Sequence, residues 1–349
     1  MVYNVLKQFI KRGKPCLVDI NWKEYLSQLY PDVGGSCLCK NEIASKEKRV
    51  NLEIIIPVYN TEKYVAECIE SVLNQKTHFS YRVIIINDGS TDNSSQVIEK
   101  YRNDNHVQIV HQENRGISAS RNRALKCIGG DYVTFLDSDD RLSENAVEKL
   151  LCKAYEGDYD IVGCGYLLFE DKRVLSKNVP ETQQLYGYPW GKVYKASLWE
   201  NVKFPEKYWF EDTVCCMIIH EIANKITSIP ETHYYYRLNR KGFTSSSVHN
   251  PKVIDTLWVT LRLLKDRENM GLPFDSNFQD ILVNQFKVNA WRIYPLDDER
   301  ANVSNYLASK ELYLRYCKNC HCNNKLNRLL EEAILEDNYR LFILACILL

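Results

Sequence analysis

Val133, Thr134, Phe135 and Leu136 suit a buried strand, and they run straight into Asp137, Ser138, Asp139 and Asp140. Three carboxylates set so close repel one another and lose solvation, unless a cation or hydrogen-bond donors compensate. Hard oxygen ligands on a rigid strand end suit Mg2+ or Mn2+, which keeps coordination positions open for phosphate oxygens. The plain alternative is a solvated acidic turn leading into the next helix, with Ser143 as its N-cap. An Asp-x-Asp pattern alone does not choose between the two, but the elements upstream do.

Those elements recur with short connections. Leu52–Val58 reads as a strand, and 62–74 as an amphipathic helix with Val65, Cys68, Ile69, Val72 and Leu73 apolar and Thr61 as its N-cap. Residues 82–86, 107–110 and 132–136 read as further strands, separated by helices over 92–103 and 117–127. Two of the strands are nearly continuous aliphatic runs, as strands covered on both faces require. The pattern predicts a parallel, helix-covered α/β sheet. In such sheets ligands bind beyond the carboxyl ends of the strands. Here the four ends carry Pro57, Tyr59 and Asn60; Asn87, Asp88, Gly89 and Ser90; Asn114, Arg115 and Gly116; and Asp137 to Asp140. Polar ends converging on one edge describe a nucleotide pocket that contains a metal.

The 349 residues suffice for two domains, or for one domain with extensions. The pattern divides them into an N-terminal extension (1–50), a sheet domain (51–247, with halves 51–155 and 156–247) and a helical C-terminal region (248–349). The extension reads as a weakly structured or short helical arm, with a turn at 31–35 and a basic run from Lys46 to Arg49. Lys+Arg and Asp+Glu both number 45, so no general attraction to nucleic acid is implied. Lys7, Lys11 and Arg12 break up any signal-peptide core, and no apolar run reaches the length of a spanning helix. The 13 cysteines include Cys68, Cys127, Cys164, Cys215 and Cys216 inside apolar patterns; they are expected to be reduced, mostly buried thiols of a cytosolic protein. Cys317, Cys320 and His321 fit the spacing of a haem attachment site, and with Cys322 they could pass for part of a metal site. Covalent haem needs an exported chain, and zinc usually wants a second ligand pair, so a cysteine-rich helix end or loop is the better reading. The nine apolar residues from Leu341 to Leu349 are too few to span a bilayer. They read either as a buried helix end or as an interfacial anchor making a peripheral contact with the inner face of the cell membrane.

Pro57-Val58-Tyr59-Asn60, then Asn87-Asp88-Gly89-Ser90-Thr91-Asp92, then 114–123, then Leu136 to Asp140 follow one another in fixed order. In that order and spacing the chain resembles the family 2 glycosyltransferases. The resemblance implies a GT-A fold, a Rossmann-like and mostly parallel sheet flanked by helices. The close match covers 51–155. A looser one, through Trp190, Gly191, Lys192, Glu211 and Asp212, continues to about 247 and resembles bacterial members that build capsule, O-antigen or other surface polysaccharides.

That family binds a nucleotide-diphosphate sugar and passes the sugar to a hydroxyl of a glycan or lipid-linked acceptor, with inversion. The resemblance places Asp88 on the imide of the base, with Pro57, Tyr59 and Asn60 lining the slot and Asn114, Gly116 and Ser138 on the nucleotide sugar. UDP is the family-weighted donor nucleotide, since thymine shares the imide that Asp88 would read. Arg121 and Arg123, two apart on a helix, cannot share one face; Arg121 is the one preferred for the nucleotide and the other for a structural pair. Asp139 is implied as the main ligand of Mn2+ or Mg2+, Asp137 as a ribose or metal contact, and Asp140 as an orienting neighbour. Asp212 is implied as the catalytic base and Glu211 as a contact to acceptor or donor sugar; from the residues alone, cap and base are equally good readings of Asp212. Trp190 and Lys192 are assigned to the acceptor side, although Trp190 fits a core position equally well. Arg237 and Arg240 could close over the diphosphate. Two other readings remain: a binding module of the same fold without the chemistry, and a nucleotidyltransferase. The second lacks the basic, glycine-rich phosphate loop it would want after the first strand.

Overall fold

The computed structural model describes residues 20–39, 50–171, 173–181, 185–239, 242, 247–317 and 321–348. The chain divides into two compact units: Gly35–Lys207 with Glu211–Arg240, and Met1–Gly34 with Tyr208–Phe210 and Lys241–Leu349.

The first unit is built on a nine-stranded sheet. β1 (Leu52–Val58) lies between β2 (Tyr81–Asp88) and β4 (Tyr132–Phe135), and β3 (Val107–Gln112) extends β2; all of these pairs are parallel. Ile54 and Ile56 are buried on one face of β1, and Ile55 is equally buried on the other, as an aliphatic strand covered on both sides demands. The covering helices are α2 (Val65–Leu73), α3 (Ser94–Glu99), α4 (Ile117–Leu125) and α5 (Ala146–Gly157). α2 buries Val65, Cys68, Ile69 and Val72, the stripe that its sequence spacing predicts. The register sets Val58 beside Asn87 and Asp88 beside Gln112, so the polar strand ends share one edge.

Beyond β4 the sheet is mixed, which is a correction to a mostly parallel one. β8 (Lys192–Lys195) runs antiparallel to β4, and β6 (Ile161–Glu170) antiparallel to β8. β9 (Ile226–Arg237) then runs parallel to β6, while the short β5 (Arg141–Leu142) and β7 (Arg173–Asn178) pair antiparallel with β9 and β6. β6 contains Gly163 and Gly165, and β9 contains Pro230, residues that obscure a strand signal. A helix over residues 213–222, α6, precedes β9.

Two predicted caps sit elsewhere. α2 starts at Val65 rather than 62, so Thr61 caps nothing with its side chain; its hydroxyl donates to Ser138 Oγ at 3.1 Å. Asn145 holds the N-cap position of α5, and Ser143 Oγ lies 2.7 Å from His233 Nδ1.

The second unit is helical, as its sequence pattern predicts, and it recruits part of the N-terminal extension. α1 (Trp22–Leu29) is capped by Asn21 and tied to α9 (Glu299–Tyr316): Trp22 Nε1 donates to Glu311 at 2.8 Å, and Tyr25 Oη donates to Asp298, the N-cap of α9, at 2.7 Å. The remaining helices are α7 (Asp255–Met270), α8 (Ser276–Ile293), α10 (Lys325–Leu335) and α11 (Tyr339–Leu348). α11 buries Leu341, Phe342, Ala345 and Cys346, which makes burial, rather than an interfacial anchor, the fate of that face. Among the described residues no helix is long and apolar enough to cross a membrane. No disulfide joins any two of the eleven described cysteines; Cys127 is exposed, against expectation. Cys317 and Cys322 are buried, His321 Nδ1 lies 2.8 Å from Glu331, and Cys320 falls outside the described residues, as do the basic run at 46–49 and Arg240.

One buried ion pair fastens the centre of the sheet. Glu53 is buried on β1, and its register partner Arg82 on β2 grips it with Nε at 2.8 Å and Nη2 at 2.7 Å. Removing one partner of a buried pair strands the other charge. Arg82→Met is expected to lower stability by about 3 kcal/mol, the low end for such a pair, because the arginine is 31% exposed. Urea denaturation measures this, and a loss below about 1 kcal/mol would place the pair among ordinary surface contacts.

Candidate active site

Three strand-end loops lock together before any ligand is considered. Asp88, buried at the end of β2, accepts from Gln112 Nε2 at 2.6 Å, from Arg115 N at 2.9 Å and from Gly116 N at 2.8 Å. Both of its oxygens thus order the Asn114–Gly116 loop that opens α4. Gly89 follows with φ +70°, and a Cβ there would lie 2.7 Å from Asn114 N, so only glycine fits. Asn60 adopts φ +52° and accepts from Thr91 N at 2.8 Å, which staples the first loop to the second. Pro57 stays within β1, while Tyr59, 47% exposed, is free to flank a planar base.

The acidic strand end divides its labour. Asp140 is 1% exposed and accepts from Tyr234 Oη at 2.6 Å and from Arg237 N at 2.7 Å. Burial, and then Asp139 and Asp137, push its carboxyl well above the usual range. Both of its oxygens are spent, so Asp140 does not fit as a metal ligand. Asp139 is pushed up by burial and by Asp137, against a hydrogen bond from Asn239 at 3.0 Å. Asp137 gives one oxygen to Arg121 Nη2 at 2.8 Å. Among the described residues no three His, Cys, Asp or Glu side chains form a ready-made metal cage. Two neighbouring carboxylates, Asp137 and the largely desolvated Asp139, do fit a divalent ion that takes its other ligands from phosphate and water.

Arg121 lies at the centre. It is 2% exposed; Nη1 donates to Glu211 at 2.6 Å and Nη2 to Asp137 at 2.8 Å, and its guanidinium lies 5.1 Å from the Phe204 ring centroid. Arg123, two residues on, is exposed and reaches Gln112 Oε1 at 3.4 Å. The two arginines separate as helical spacing requires, but Arg121, preferred for the nucleotide, holds the structural pair. Burial pushes the Glu211 carboxyl up, opposed by Arg121.

Asp212 follows immediately and stands before α6, whose chain is wound as a π-helix over Cys215–Ile219, a form often found at functional sites. Its backbone carbonyl accepts from Cys215 N at 2.8 Å. Among the described residues its carboxylate accepts no hydrogen bond and joins no ion pair. A side-chain cap is therefore not what Asp212 provides.

Trp190 and Lys192 do not face outward. Trp190 is buried, stacked on Tyr188 with centroids 4.5 Å apart and on Tyr234 at 4.4 Å. Lys192 is buried with Nζ donating to Tyr188 O at 2.6 Å and Trp190 O at 3.2 Å, and burial lowers its pKa to about 8. A parallel bridge from Trp190 to Phe135 carries this segment into the sheet and turns both side chains inward. Arg237 is also engaged: Nε donates to Asp139 O at 2.7 Å, Nη2 pairs with Glu67, and its guanidinium lies over Phe169 and Tyr64. His233 is buried against Ser143, a structural histidine.

Sequence reasoning missed Glu67, Tyr234 and Asn239. The period-2 alternation of β9, which places Tyr234 and Tyr236 on one face, is the signal that could have found Tyr234. The other two are joined to the site by folding alone.

Residues 53–226 match the family model described as glycosyl transferase family 2. The glycosyltransferase GlyA of Streptococcus pneumoniae serotype 4 is 30% identical over 256 residues, covering 65% of this chain and 36% of that protein. The uncharacterized glycosyltransferase EpsJ of Bacillus subtilis is 34% identical over 218 residues, covering 55% and 62%. The poly(ribitol-phosphate) beta-N-acetylglucosaminyltransferase TarS of Staphylococcus aureus is 30% identical over 222 residues, covering 57% and 38%. The chain thus spans less than two thirds of the length of each of these relatives. The crystal structure of TarS 1–349 in complex with UDP-GlcNAc superposes with a TM-score of 0.58 at 19% identity, covering 85% of this chain and 90% of that one, which shows a shared GT-A-like fold. Ordered strand-end motifs, a GT-A-like fold and a family match over the same stretch agree, and the chain belongs to glycosyltransferase family 2.

Proposed function

We propose that the chain passes a sugar from a UDP-sugar to a hydroxyl of a glycan or lipid-linked acceptor, with inversion at the anomeric carbon, in the building of a bacterial cell-surface polysaccharide. The observation that carries the reading is the Arg121 bridge. One guanidinium fixes Asp137, on the side of the site assigned to the donor, and Glu211, the neighbour of Asp212, whose carboxylate joins no ion pair among the described residues. TarS is a poly(ribitol-phosphate) beta-N-acetylglucosaminyltransferase by name and has been crystallised with UDP-GlcNAc, which supports a UDP donor carrying a hexose or N-acetylhexosamine.

This reading gives each group a part in the chemistry. Asp212 takes the proton of the acceptor hydroxyl while that oxygen attacks the anomeric carbon. The bond from that carbon to the diphosphate breaks on the opposite face, through an oxocarbenium-like transition state, and UDP leaves. Glu211, held by Arg121, points away from that proton and frames the sugar. The Asp88-ordered loop, with Tyr59, Asn60, Asn114, Gly116 and Ser138, holds the nucleotide. When bound between Asp137 and Asp139, Mn2+ or Mg2+ would neutralise charge growing on the leaving diphosphate.

A positioned base typically contributes about 10²–10⁴-fold. Asp212→Asn is expected to lower kcat for acceptor-dependent UDP release by about that factor, with the thermal shift caused by UDP-GlcNAc retained. Equal loss of both would contradict the assignment. Wild-type protein that binds the nucleotide sugar yet never releases UDP with any acceptor would be a binding module instead. Arg121→Gln leaves two carboxylates facing each other in a buried site and is expected to cost about 3–5 kcal/mol in urea denaturation, with Arg121→Lys recovering part. A loss under about 1 kcal/mol would show that the bridge does not hold the site together.

A further inference from the structure

The aromatic rings around Trp190 are not all core. Trp199, Phe204, Phe135 and Tyr194 of the same unit are essentially sealed from solvent, whereas Tyr188, lying flat on Trp190 at an interplanar angle of 5°, is 39% exposed. Tyr186 and Tyr236 are half-buried beside it: Tyr186 continues the stack at 6.2 Å from Tyr188, and Tyr236 stacks on Trp190 at 5.3 Å. Tyr166 meets Tyr186 and Trp190 edge-on at 5.4 Å and 5.1 Å. Each ring is braced by another, and the Tyr188 carbonyl is gripped by buried Lys192 at 2.6 Å. Such a surface loses little conformational freedom when a ligand lands on it.

The location is as informative as the shape. A Cβ on Gly187 would come within 3.8 Å of Cys216 Sγ, so the loop between the two tyrosines abuts the helix one turn beyond Asp212. Lys192, under that loop, feels the charge of Asp212. On the far side of the stack, Trp190 packs on Tyr234, whose hydroxyl holds Asp140. The array therefore runs between the helix of the assigned base and the acidic strand end.

We propose that Tyr188, with Tyr186 and Tyr236 around it, is the platform on which a pyranose ring of the acceptor glycan stacks, its C–H face on the tyrosine and its hydroxyls toward the phenol edges. The proposal rests on the glycosyltransferase reading for the word acceptor, but not for the binding itself. A flat, rigid, uncharged aromatic surface with hydroxyl edges matches a sugar face; a polyol phosphate would instead call for cations, and Lys192, among the described residues the lysine beneath this loop, is buried with its ammonium spent on carbonyls.

Saturation-transfer NMR tests this with methyl β-glucoside, methyl β-galactoside and methyl β-N-acetylglucosaminide as probes, ribitol 5-phosphate as the non-pyranose control, and UDP present throughout. At least one pyranoside is expected to receive saturation at its ring C–H protons. Tyr188→Ala, which keeps the carbonyl that Lys192 needs, is expected to weaken it about tenfold, while Tyr188→Phe preserves it. The thermal shift with UDP should not change in either variant; Tyr188→Ala, which removes one ring from the stack, lowers the melting temperature modestly but leaves the chain folded, and Tyr188→Phe leaves it unchanged. Absence of pyranoside binding by folded wild type, equal binding by Tyr188→Ala, or preference for ribitol 5-phosphate would overturn the platform. Pyranoside binding with no UDP shift would leave the platform standing and remove the donor reading; a UDP shift with no pyranoside binding would do the reverse.

Discussion

A guanidinium sealed from water, with a carboxylate on each of its two terminal nitrogens, is the constraint on which the site depends. Arg121 comes from a helix that covers the sheet, Asp137 from the end of β4 and Glu211 from the approach to α6, a sequence span of 90 residues between arginine and glutamate. None of the three is comfortable alone. Unpaired, the sealed Arg121 and the nearly sealed Glu211 would each cost several kcal/mol, while Asp137, a quarter exposed, would lose less; the arginine therefore requires both carboxylates in place. The fixed fork of arginine sets the spacing of the two carboxylates, which lysine would not.

This arrangement assigns different fates to the acidic groups. Asp140 is consumed by Tyr234 and the Arg237 amide and serves as an anchor between β9 and the strand end. Glu211 is held. Asp139 keeps a desolvated carboxylate suited to a cation, and Asp212 keeps one with no partner among the described residues. The two groups to which the proposed function gives chemistry are thus flanked by groups whose oxygens are already engaged. Asn60 carries a local backbone cost at positive φ in the same group of strand-end loops, whereas Gly89 adopts its positive φ without one.

The first half of the sheet was legible because its signals are local. Aliphatic runs, a helical stripe on α2 and turn residues after each strand all lie within a dozen residues of one another, and Asp88, Gly116 and Asp137 stand at the edge where that pattern puts them. The second half was not, because β6 and β9 pair across more than 60 residues and carry Gly163, Gly165 and Pro230. Trp190 and Lys192 show the same limit from another side: their types suit a sugar site, and only a bridge to Phe135 turns them inward. Arg121 against Arg123 could be reduced to a choice by helical geometry, but which one faced carboxylates depended on where Glu211 arrives. The helical region announced itself by period, though not that α1 would join it through Trp22 and Tyr25.

The proposed function requires a nucleotide pocket closed by a cation at the end of β4. Isothermal titration of UDP into the folded chain, with and without Mn2+, in wild type and in Asp139→Ala, tests it most directly. About one UDP bound per chain is expected with Mn2+, and binding at least about tenfold weaker when either the metal or the Asp139 carboxylate is removed. Affinity indifferent to both changes, or no binding by a folded wild-type chain, would contradict it and return Asp137 to Asp140 to the role of an acidic turn.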